Sequence, residues 1–394
     1  MARLEEICSL ITDGSHFSPE DEGIGYPMFS VKDMTPNGFN ISGCKKIGEE
    51  AYKKLVANGC KPLNDDVVVA KDGSYLKTAF VIKGNPEIAL LSSIAILRPK
   101  IDLVVPEYLS YFLKSDAVYR TVSLNYITGT ALKRIILKGI RKIEVDLPDI
   151  GEQEQRTQRL SKVDYLCQLR KQQLAKLDEL VKARFVEMFG DLASPACPWK
   201  KEKIVNICAD QDDIKCGPFG TQLSKDEYQS TGVAVWEIPQ INSNFLLKPT
   251  HFITAEKALQ LESYSIIPGD IAMSRKGNVG RCAVFPENLK NGIIHSDVLR
   301  IRIDKKRAVP TFMMHQLHNS NFIKHQIELV SSGAIMAGIN VTKLKEIEVH
   351  LPPLTLQNEF AAFVERVDQQ KQTVQQSLEK LELMKKALMQ EYFG

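Results

Sequence analysis

Nothing in the sequence places the chain in a membrane or in an oxidising compartment. The 394 residues include no apolar run long enough to cross a bilayer, and the start, MARLEEICSL, lacks the apolar core of a signal peptide. The eight cysteines are scattered and form no C-x-x-C pair, which indicates reduced thiols rather than a disulfide framework. We therefore expect a cytoplasmic protein that does not bind a membrane.

The motifs of enzymes that act on DNA are also missing. A stand-alone methyltransferase would need a glycine-rich cofactor loop and an Asn/Asp-Pro-Pro-aromatic motif, and a nucleotide-driven motor would need G-x-x-x-x-G-K-[ST]. A nuclease of the PD…E-x-K type is unsupported because the sequence contains no Glu-x-Lys triplet. The net charge of +3 neither demands nor excludes a nucleic-acid partner. We expect no catalytic residue and no cofactor site on this chain.

One phrase occurs twice, as IEVDLP at residues 143–148 and as IEVHLP at residues 347–352. A shift of 204 residues superimposes the two phrases. With this shift, residues 138–190 match residues 342–394 at 18 of 53 positions without a gap, where chance would give roughly 3 or 4. Shared helix composition cannot explain one register across strands, turns and helices, so the sequence predicts a duplicated unit.

Each unit begins with a mixed domain, predicted at residues 1–149 and again at 195–353. Strand signals recur in matched places, where DVVVAK corresponds to DIAMSR and SSIAILRP to SDVLRIRI. A helix follows in each copy, and it starts at Pro106 or Pro310, because the first turn of a helix does not need the N–H that proline lacks. The expected fold class is α+β.

The second part of each unit is a long helix, predicted within residues 150–194 as a central spacer and within 354–394 as a C-terminal spacer. Apolar residues recur at three-then-four spacing, the seam that lets two helices pack side by side. The predicted interface comprises Leu160, Val163, Leu174, Leu177, Val364, Val367, Val374, Leu378 and Leu381. Cationic residues interrupt this seam (Arg170, Lys371, Lys385), so a solvated single helix remains an alternative.

These parts predict an arrangement of two mixed domains joined by an antiparallel coiled coil with pseudo-twofold symmetry. A helix of roughly 37 residues is about 55 Å long, so the two helices would hold the domains at a set separation. The back halves of the two copies align without gaps, whereas the front segments of residues 11–34 and 214–241 bear little likeness. Two related domains whose front segments differ suit a target of two unlike parts, that is, a bipartite, non-palindromic one.

A metal site is a further possibility, because three histidines are spaced along one predicted helix at His315, His318 and His325. The matched positions in the first copy are Tyr111, Lys114 and Thr121, which bind no metal. We therefore expect ordinary surface or core histidines.

Four phrases make the sequence recognisable by their order, their doubling and the helix that follows each copy. They are GTALKRIILKGIRKIEVDLPDIGEQEQ (129–155), SGAIMAGINVTKLKEIEVHLPPLTLQNEF (332–360), GPFGTQLSKDEY (217–228) and DIAMSRKGNVG (270–280). Along its whole length the chain resembles the specificity subunits of type I restriction-modification systems. In the first copy TDGSHFSP replaces the glycine turn of residues 217–220, and AKDGSYLK is a looser version of SRKGNVGR. The first domain is therefore expected to contact DNA through a different loop set.

The resemblance implies two target-recognition domains that bind double-stranded DNA. It also implies spacer helices that dock two methyltransferase subunits, in a complex that can add nuclease-translocase subunits. S-adenosylmethionine and ATP would then be bound by the partner subunits only. Two other hypotheses stay open: an enzyme that acts alone, and a coiled-coil scaffold of another DNA-modification complex that binds only protein.

DNA recognition needs cations for phosphates and amides or arginine for base edges, and glycines that let the backbone approach a phosphate. The predicted contacts of the first domain are Ser15, His16, Lys32, Lys71, Lys77, Lys133 and Arg134. Those of the second domain are Lys215, Thr221, Gln222, Lys225, Gln240, Asn242, Asn244, Arg275, Lys276 and Asn278.

Overall fold

The computed structural model describes residues 1–73, 75–128, 133–277, 279–331 and 338–394. The chain folds as two compact units. The first comprises Met1–Gln172 with Gln375–Gly394, and the second comprises Gln173–Val374. Each unit contains one mixed domain and a segment of each long helix, so the predicted α+β fold class is confirmed.

The first unit is built around a four-stranded antiparallel sheet. Its strand order is Cys8–Asp13, Ile94–Pro99, Val67–Ala70, Ala79–Val81. A three-stranded sheet has the order Lys45–Ile47, Tyr26–Phe29, Ala89–Leu90. Two-stranded pairs are Ala2–Arg3 with Glu144–Val145, Met34–Thr35 with Gly38–Phe39, and Ile127–Thr128 with Arg134–Ile135. The shorter α-helices are Leu4–Ile7, Glu49–Ala57, Pro106–Leu113, Asp116–Asn125 and Leu137–Arg141.

The second unit repeats this plan. Its main antiparallel sheet has the order Ile214–Cys216, Val298–Ile301, Ile271–Ser274, Cys282–Val284. A second sheet has the order His251–Ile253, Val233–Trp236, Gly292–Ile294, Ser265–Ile266, and Lys200–Lys203 pairs with Glu348–Leu351. The shorter α-helices are Ile238–Asn242, Ala255–Gln260, Pro310–Asn319, Asn321–Ser331 and Val341–Lys345. Both predicted proline-led helices therefore begin at their prolines.

The repeat extends into the front segments, which the sequence alone does not align. Gly14 follows the first strand of one main sheet, and Gly217 follows the first strand of the other. A Cβ atom at Gly14 would lie 2.1 Å from the carbonyl oxygen of Leu90, and one at Gly217 would lie 2.3 Å from that of Ile294. Only glycine permits this close approach. Gly14 of TDGSHFSP therefore occupies the same position in the fold as Gly217, the first residue of the glycine turn of residues 217–220.

An ion pair between a buried aspartate and a half-buried arginine ties two strands of each main sheet together. The Arg98 guanidinium donates to both carboxylate oxygens of Asp66 at 2.8 and 2.9 Å. Arg302 does the same to Asp270 at 2.8 Å for both bonds. Bidentate geometry of this kind is strong and directional. Because each aspartate is buried, loss of its arginine would leave an uncompensated charge.

The two long helices run Ile150–Phe189, called the central helix below, and Leu354–Phe393, called the tail helix; each has 40 residues. Their segments are antiparallel within each unit, because rising residue numbers on one meet falling numbers on the other. The cross-helix pairs are Asp164–Lys385 and Arg170–Ser377 in the first unit, and Asp178–Lys371 and Arg184–Glu359 in the second. The cations that interrupt the apolar seam thus have partners on the opposite helix, which argues against a solvated single helix.

The predicted apolar seam points inward over most of its length. The buried members are Leu160, Val163, Val364, Val367, Val374 and Leu378, and the half-buried ones are Leu174, Leu177 and Leu381. None of the helices in the described ranges is long and apolar enough to cross a membrane. All eight cysteines are free, and burial raises the pKa of the Cys8, Cys208 and Cys282 thiols to about 12.

One buried glutamine anchors the start of each long helix to its domain. Gln153 donates to the carbonyl oxygens of Leu103 and Pro148 at 3.1 and 2.9 Å, and it accepts from Val105 N at 2.9 Å. Gln357 donates to Pro352 O at 2.7 Å and accepts from Val309 N at 2.9 Å. These glutamines are 204 residues apart and neither is exposed to solvent.

Two leucines of the tail helix provide a matched test of the seam. Leu378 is 5% exposed and Leu383 is 68% exposed. Leu378→Asp should lower the free energy of unfolding by about 3 kcal/mol or more, because it buries an unpaired charge. Leu383→Asp should change it by no more than about 0.5 kcal/mol. Urea unfolding followed by circular dichroism measures both, and equal effects would show that Leu378 does not face a packed seam.

Candidate nucleic-acid interface

In each main sheet a basic turn connects the third strand to the fourth. The turns lie within AKDGSYLK (70–77) and SRKGNVGR (274–281), and Ser74 and the predicted contact Asn278 lie outside the described residues. Both turns take left-handed backbone angles at the same repeat positions. These residues are Gly73 (φ 63°), Leu76 (φ 60°), Gly277 (φ 67°) and Gly280 (φ 87°). The looser sequence of the first copy therefore forms the same turn and presents different side chains.

In the first domain, three predicted contacts surround the Asp13 carboxylate or lie beside it. His16 Nε2 is 3.6 Å from Asp13 Oδ2, and the Lys71 ammonium forms an ion pair with the same oxygen. Ser15 Oγ donates to Phe17 O at 2.6 Å, which holds the loop in a tight turn. His16 is exposed, so this loop offers a surface group next to a charge-compensated pair.

Three of the other first-domain candidates lie around the basic turn, and the fourth, Lys32, lies in a separate turn. Gly73 N donates to Lys133 O at 2.9 Å, and Arg134 Nε is 3.8 Å from Asp72 Oδ1. The Lys77 ammonium lies 5.8 Å from the centre of the Tyr119 ring. Lys32 is exposed in the turn Val31–Asp33. The structure thus brings Lys77, Lys133 and Arg134 to one turn.

In the second domain, Arg275 joins the glycine turn to the basic turn. Its guanidinium lies 5.5 Å from the centre of the Phe219 ring and donates to Ser296 O at 3.2 Å. The neighbouring Lys276 forms a 2.8 Å ion pair with Asp297. Two predicted loops therefore meet at one arginine, since Arg275 lies 56 residues after Phe219 in the sequence.

The remaining polar residues of the glycine turn share one tyrosine. Gln222 donates to Tyr264 Oη at 2.8 Å, and the Lys215 ammonium lies 5.3 Å from the centre of the Tyr264 ring. Thr221, Gln222 and Lys225 are exposed. Lys215 and Gln222 thus converge on one side of this turn.

Two predicted contacts are engaged inside the protein. Gln240 is 2% exposed, and its amide accepts from Glu237 N and donates to Lys248 O, each at 3.1 Å. Lys71 is 8% exposed and is neutralised by Asp13. Their hydrogen-bonding and charge are satisfied internally, so we leave both out of the surface proposed below. Residue type and spacing could not reveal that these side chains point inward.

Sequence reasoning missed Arg281, which organises the surface around two predicted contacts. Its guanidinium donates to Asn242 O at 3.2 Å and to Asn244 Oδ1 at 3.4 Å. It also meets His318 Nε2 at 2.8 Å. The repeat carried the signal, because Arg281 lies 204 residues after Lys77, which was among the predicted contacts.

His318 is therefore a hydrogen-bond partner of arginine. Burial, reinforced by the Arg281 charge, lowers the pKa of His318 to about 4. Burial likewise lowers the pKa of His315 to about 4. Across the described part of the chain, no group of three or more His, Cys, Asp or Glu side chains is arranged to hold a metal ion.

Comparison with known proteins identifies the family. The model of the type I restriction modification DNA specificity domain matches residues 1–179 and 213–383. The chain belongs to this family. Specificity subunits recognise DNA and carry out no catalysis themselves, so the predictions of a specificity subunit and of a non-enzyme are confirmed.

Individual relatives resemble the chain over nearly its full length. A putative type I restriction enzyme specificity subunit, MjaX, from Methanocaldococcus jannaschii is 22% identical over 401 residues, which cover 98% of this chain and 90% of the relative. The crystal structure of a type I S subunit from M. genitalium is 15% identical with a TM-score of 0.59, covering 100% of this chain and 95% of that one. A chain from a study of complex assembly and conformational transition of the type I R-M system is 17% identical with a TM-score of 0.55, covering 100% and 96%. The two structures support the fold.

The contact between Arg281 and His318 predicts a measurable titration. Arg281→Gln removes the neighbouring charge and should raise the pKa of His318 above about 4, while burial keeps it below the ordinary 6.5. Histidine ring resonances in NMR spectra recorded against pH measure this value. Because the folded-state pKa lies below the unfolded one, this histidine's contribution to stability is complete above about pH 6.5 and is lost as the pH falls towards 4.

Lys290→Gln is the matched control for this titration, since it removes an exposed cation of the same domain that has no ion-pair partner among the described residues. An unchanged pKa of His318 in Arg281→Gln would show that the two side chains do not interact in solution.

Proposed function

We propose that this chain reads a bipartite, non-palindromic DNA target, with one half-site for each mixed domain. In this proposal the domains are residues 1–149 and 195–353, and the spacer segments 150–194 and 354–394 dock two methyltransferase subunits. The resulting complex can add nuclease-translocase subunits. S-adenosylmethionine and ATP are bound by those partner subunits, and the complex works in the cytoplasm.

The proposal is supported by a framework that is duplicated and by exposed loops that differ between the two copies. The Asp–Arg ion pairs, the anchoring glutamines and the basic turns occur at matched positions in both units. The loops after Gly14 and Gly217 differ in sequence and in the groups that they expose. Equivalent frames that hold different surface groups suit two related but unequal half-sites.

The proposed DNA surface retains the predicted contacts that lie at least partly exposed. In the first domain they are Ser15, His16, Lys32, Lys77, Lys133 and Arg134. In the second they are Lys215, Thr221, Gln222, Lys225, Asn242, Asn244, Arg275 and Lys276. To these we add Arg281, because it is bonded to Asn242 and Asn244.

Exposed apolar side chains on the helix pair support docking of protein partners. In the first unit, Tyr165 is 60% exposed, Leu169 38%, Leu383 68% and Met384 53%. The Asp164–Lys385 ion pair, at 2.5 Å, places Tyr165 and Leu383 at a similar level along the pair. Apolar groups clustered on a surface favour burial against another protein. The hypothesis of a scaffold that binds only protein has no support from the family or its relatives.

A domain exchange tests the two-reader proposal. Replacing residues 1–149 with the corresponding domain of a relative should change one half of the methylated sequence and leave the other half unchanged. Sequencing of modified DNA from cells that express the chimera with its methyltransferase partner gives the result. The control is the reciprocal exchange of residues 195–353, which should change only the other half. A chimera that alters both halves would sink the proposal of separate readers.

A second test concerns the docking face. Tyr165→Asp combined with Leu383→Asp should weaken binding of methyltransferase subunits at least tenfold, because both side chains would lose apolar burial. Gln168→Glu, at an exposed polar position of the same helix segment, is the control. Pull-down with titrated methyltransferase subunit measures the affinity, and urea unfolding verifies that the variant is folded. Wild-type affinity in the double variant would place the docking surface elsewhere.

A further inference from the structure

Each unit has a surface cleft, and the two clefts correspond to one another through the repeat. The first, of about 370 Å³, is lined by Lys77, Lys114, Ser115 and Lys386, with the acids Asp116 and Glu382 among its other residues. The second, of about 550 Å³, is lined by Arg281, His318, Asn319 and Lys182 among others. Each of these four pairs is 204 residues apart. Both clefts therefore lie between the proline-led helix, the basic turn and one long helix.

We propose that each of these clefts binds a phosphate of the DNA backbone, through Lys77, Lys114 and Lys386 in the first unit and through Arg281 and Lys182 in the second. This inference rests on the proposed function and adds to it a sequence-independent contact at a defined place in each reader.

Acidic residues also line the clefts, namely Asp116 and Glu382 in the first and Glu328 in the second, and Lys385 of the first cleft is paired with Asp164. The five cations named in the proposal differ from this lysine and from other cations nearby. Lys71 is paired with Asp13, and Lys276 with Asp297. Within the described ranges, none of the five forms an ion pair with a carboxylate, although acids line both clefts. A cation that is partly removed from water without a counter-ion is costly, so a bound anion would stabilise it.

Lys114 shows this cost most directly. Its ammonium is half-buried and lies 4.7 Å from the centre of the Tyr111 ring. Burial, together with repulsion from Lys385, lowers the pKa of Lys114 to about 8. A phosphate in the cleft would favour the charged amine.

Arg281 is pre-positioned in the second cleft. Its contacts to His318 Nε2, Asn242 O and Asn244 Oδ1 use only uncharged acceptors. A guanidinium has five N–H donors, so donors remain for a phosphate oxygen. Because His318 stays neutral at ordinary pH, it orients the arginine without competing for the anion.

The shared position of the clefts indicates the chemistry of the ligand. The loops that differ between the domains are suited to different bases, whereas the clefts are formed by corresponding residues. The group that both halves of a DNA target have in common is the backbone phosphate, which lysine and arginine bind without reading sequence. Arg281 also contacts Asn242 and Asn244 of the proposed DNA surface, which places the second cleft beside it.

The test measures the salt dependence of DNA binding by the full chain with its methyltransferase subunits. Two labelled duplexes are used, one with the mapped target and one with that target scrambled. Lys77→Gln with Lys114→Gln, and separately Arg281→Gln, should each reduce the slope of log K against log salt by about 0.9, the value for one lost phosphate contact. The reduction should appear on both duplexes.

Controls separate this effect from general loss of charge or of folding. Lys290→Gln removes one exposed cation outside the clefts and should leave the slope unchanged. Lys77→Arg and Arg281→Lys each introduce the residue that the other copy has at the matched position. Because both keep the positive charge, each should have the slope of the wild type. Urea unfolding verifies that every variant is folded.

Three results would overturn the proposal. The first is an unchanged slope in folded cleft variants. The second is weaker binding of methyltransferase subunits with an unchanged slope, which would indicate an acidic protein segment as the ligand. The third is a changed target sequence with an unchanged slope. If the wild type does not distinguish the two duplexes, the proposed function is wrong, whereas the cleft proposal is still judged by the slopes.

Discussion

The fold depends on how each long helix is fastened to its domain, and a single buried amide does this in each unit. Gln153 bonds to the segment before the proline-led helix and to the proline that closes the last strand. Gln357 makes the corresponding bonds to Val309 and Pro352. A buried amide is costly unless its donors and acceptor are satisfied, so any other helix direction would leave these groups unpaired. In the second unit the tail helix then holds the central helix through pairs such as Arg184–Glu359, which brings Lys182 to the cleft.

The two copies differ where change costs little stability. Asp66 and Asp270 are buried and held by arginine, so replacement of either partner would strand a charge inside the protein. Exposed residues such as His16 and Thr221 have no such constraint, and surface substitutions usually change stability by less than about 0.5 kcal/mol. The exposed loops of a duplicated domain can therefore change in sequence while its buried framework stays the same.

The sequence predicted the parts that obey periodicity and repetition, and it failed where side-chain direction decides. The proline-led helices and the long helices recur at positions that the 204-residue shift superimposes. The front segments could not be aligned, because Gly14 and Gly217 are required by a close backbone approach that only the folded sheet reveals. Gln240 has the residue type of a base contact, yet its amide is buried and bonds to the backbone of Glu237 and Lys248. Arg281 was overlooked although the shift places it on Lys77, a candidate already chosen.

The cations of this protein have two distinct roles. The role of each cation follows from the groups that it contacts and cannot be read from the total number of cations. With a net charge of +3, the whole chain gives little electrostatic attraction to DNA. Arg98, Arg302 and Lys71 are matched by carboxylates and contribute to folding. Lys114 and Arg281 lie partly buried beside a ring or uncharged acceptors, and in the cleft proposal their charge binds an outside anion. Under this proposal a nearly neutral protein offers phosphate-binding cations at two places, because these cations form no ion pair with the acids that line the same clefts.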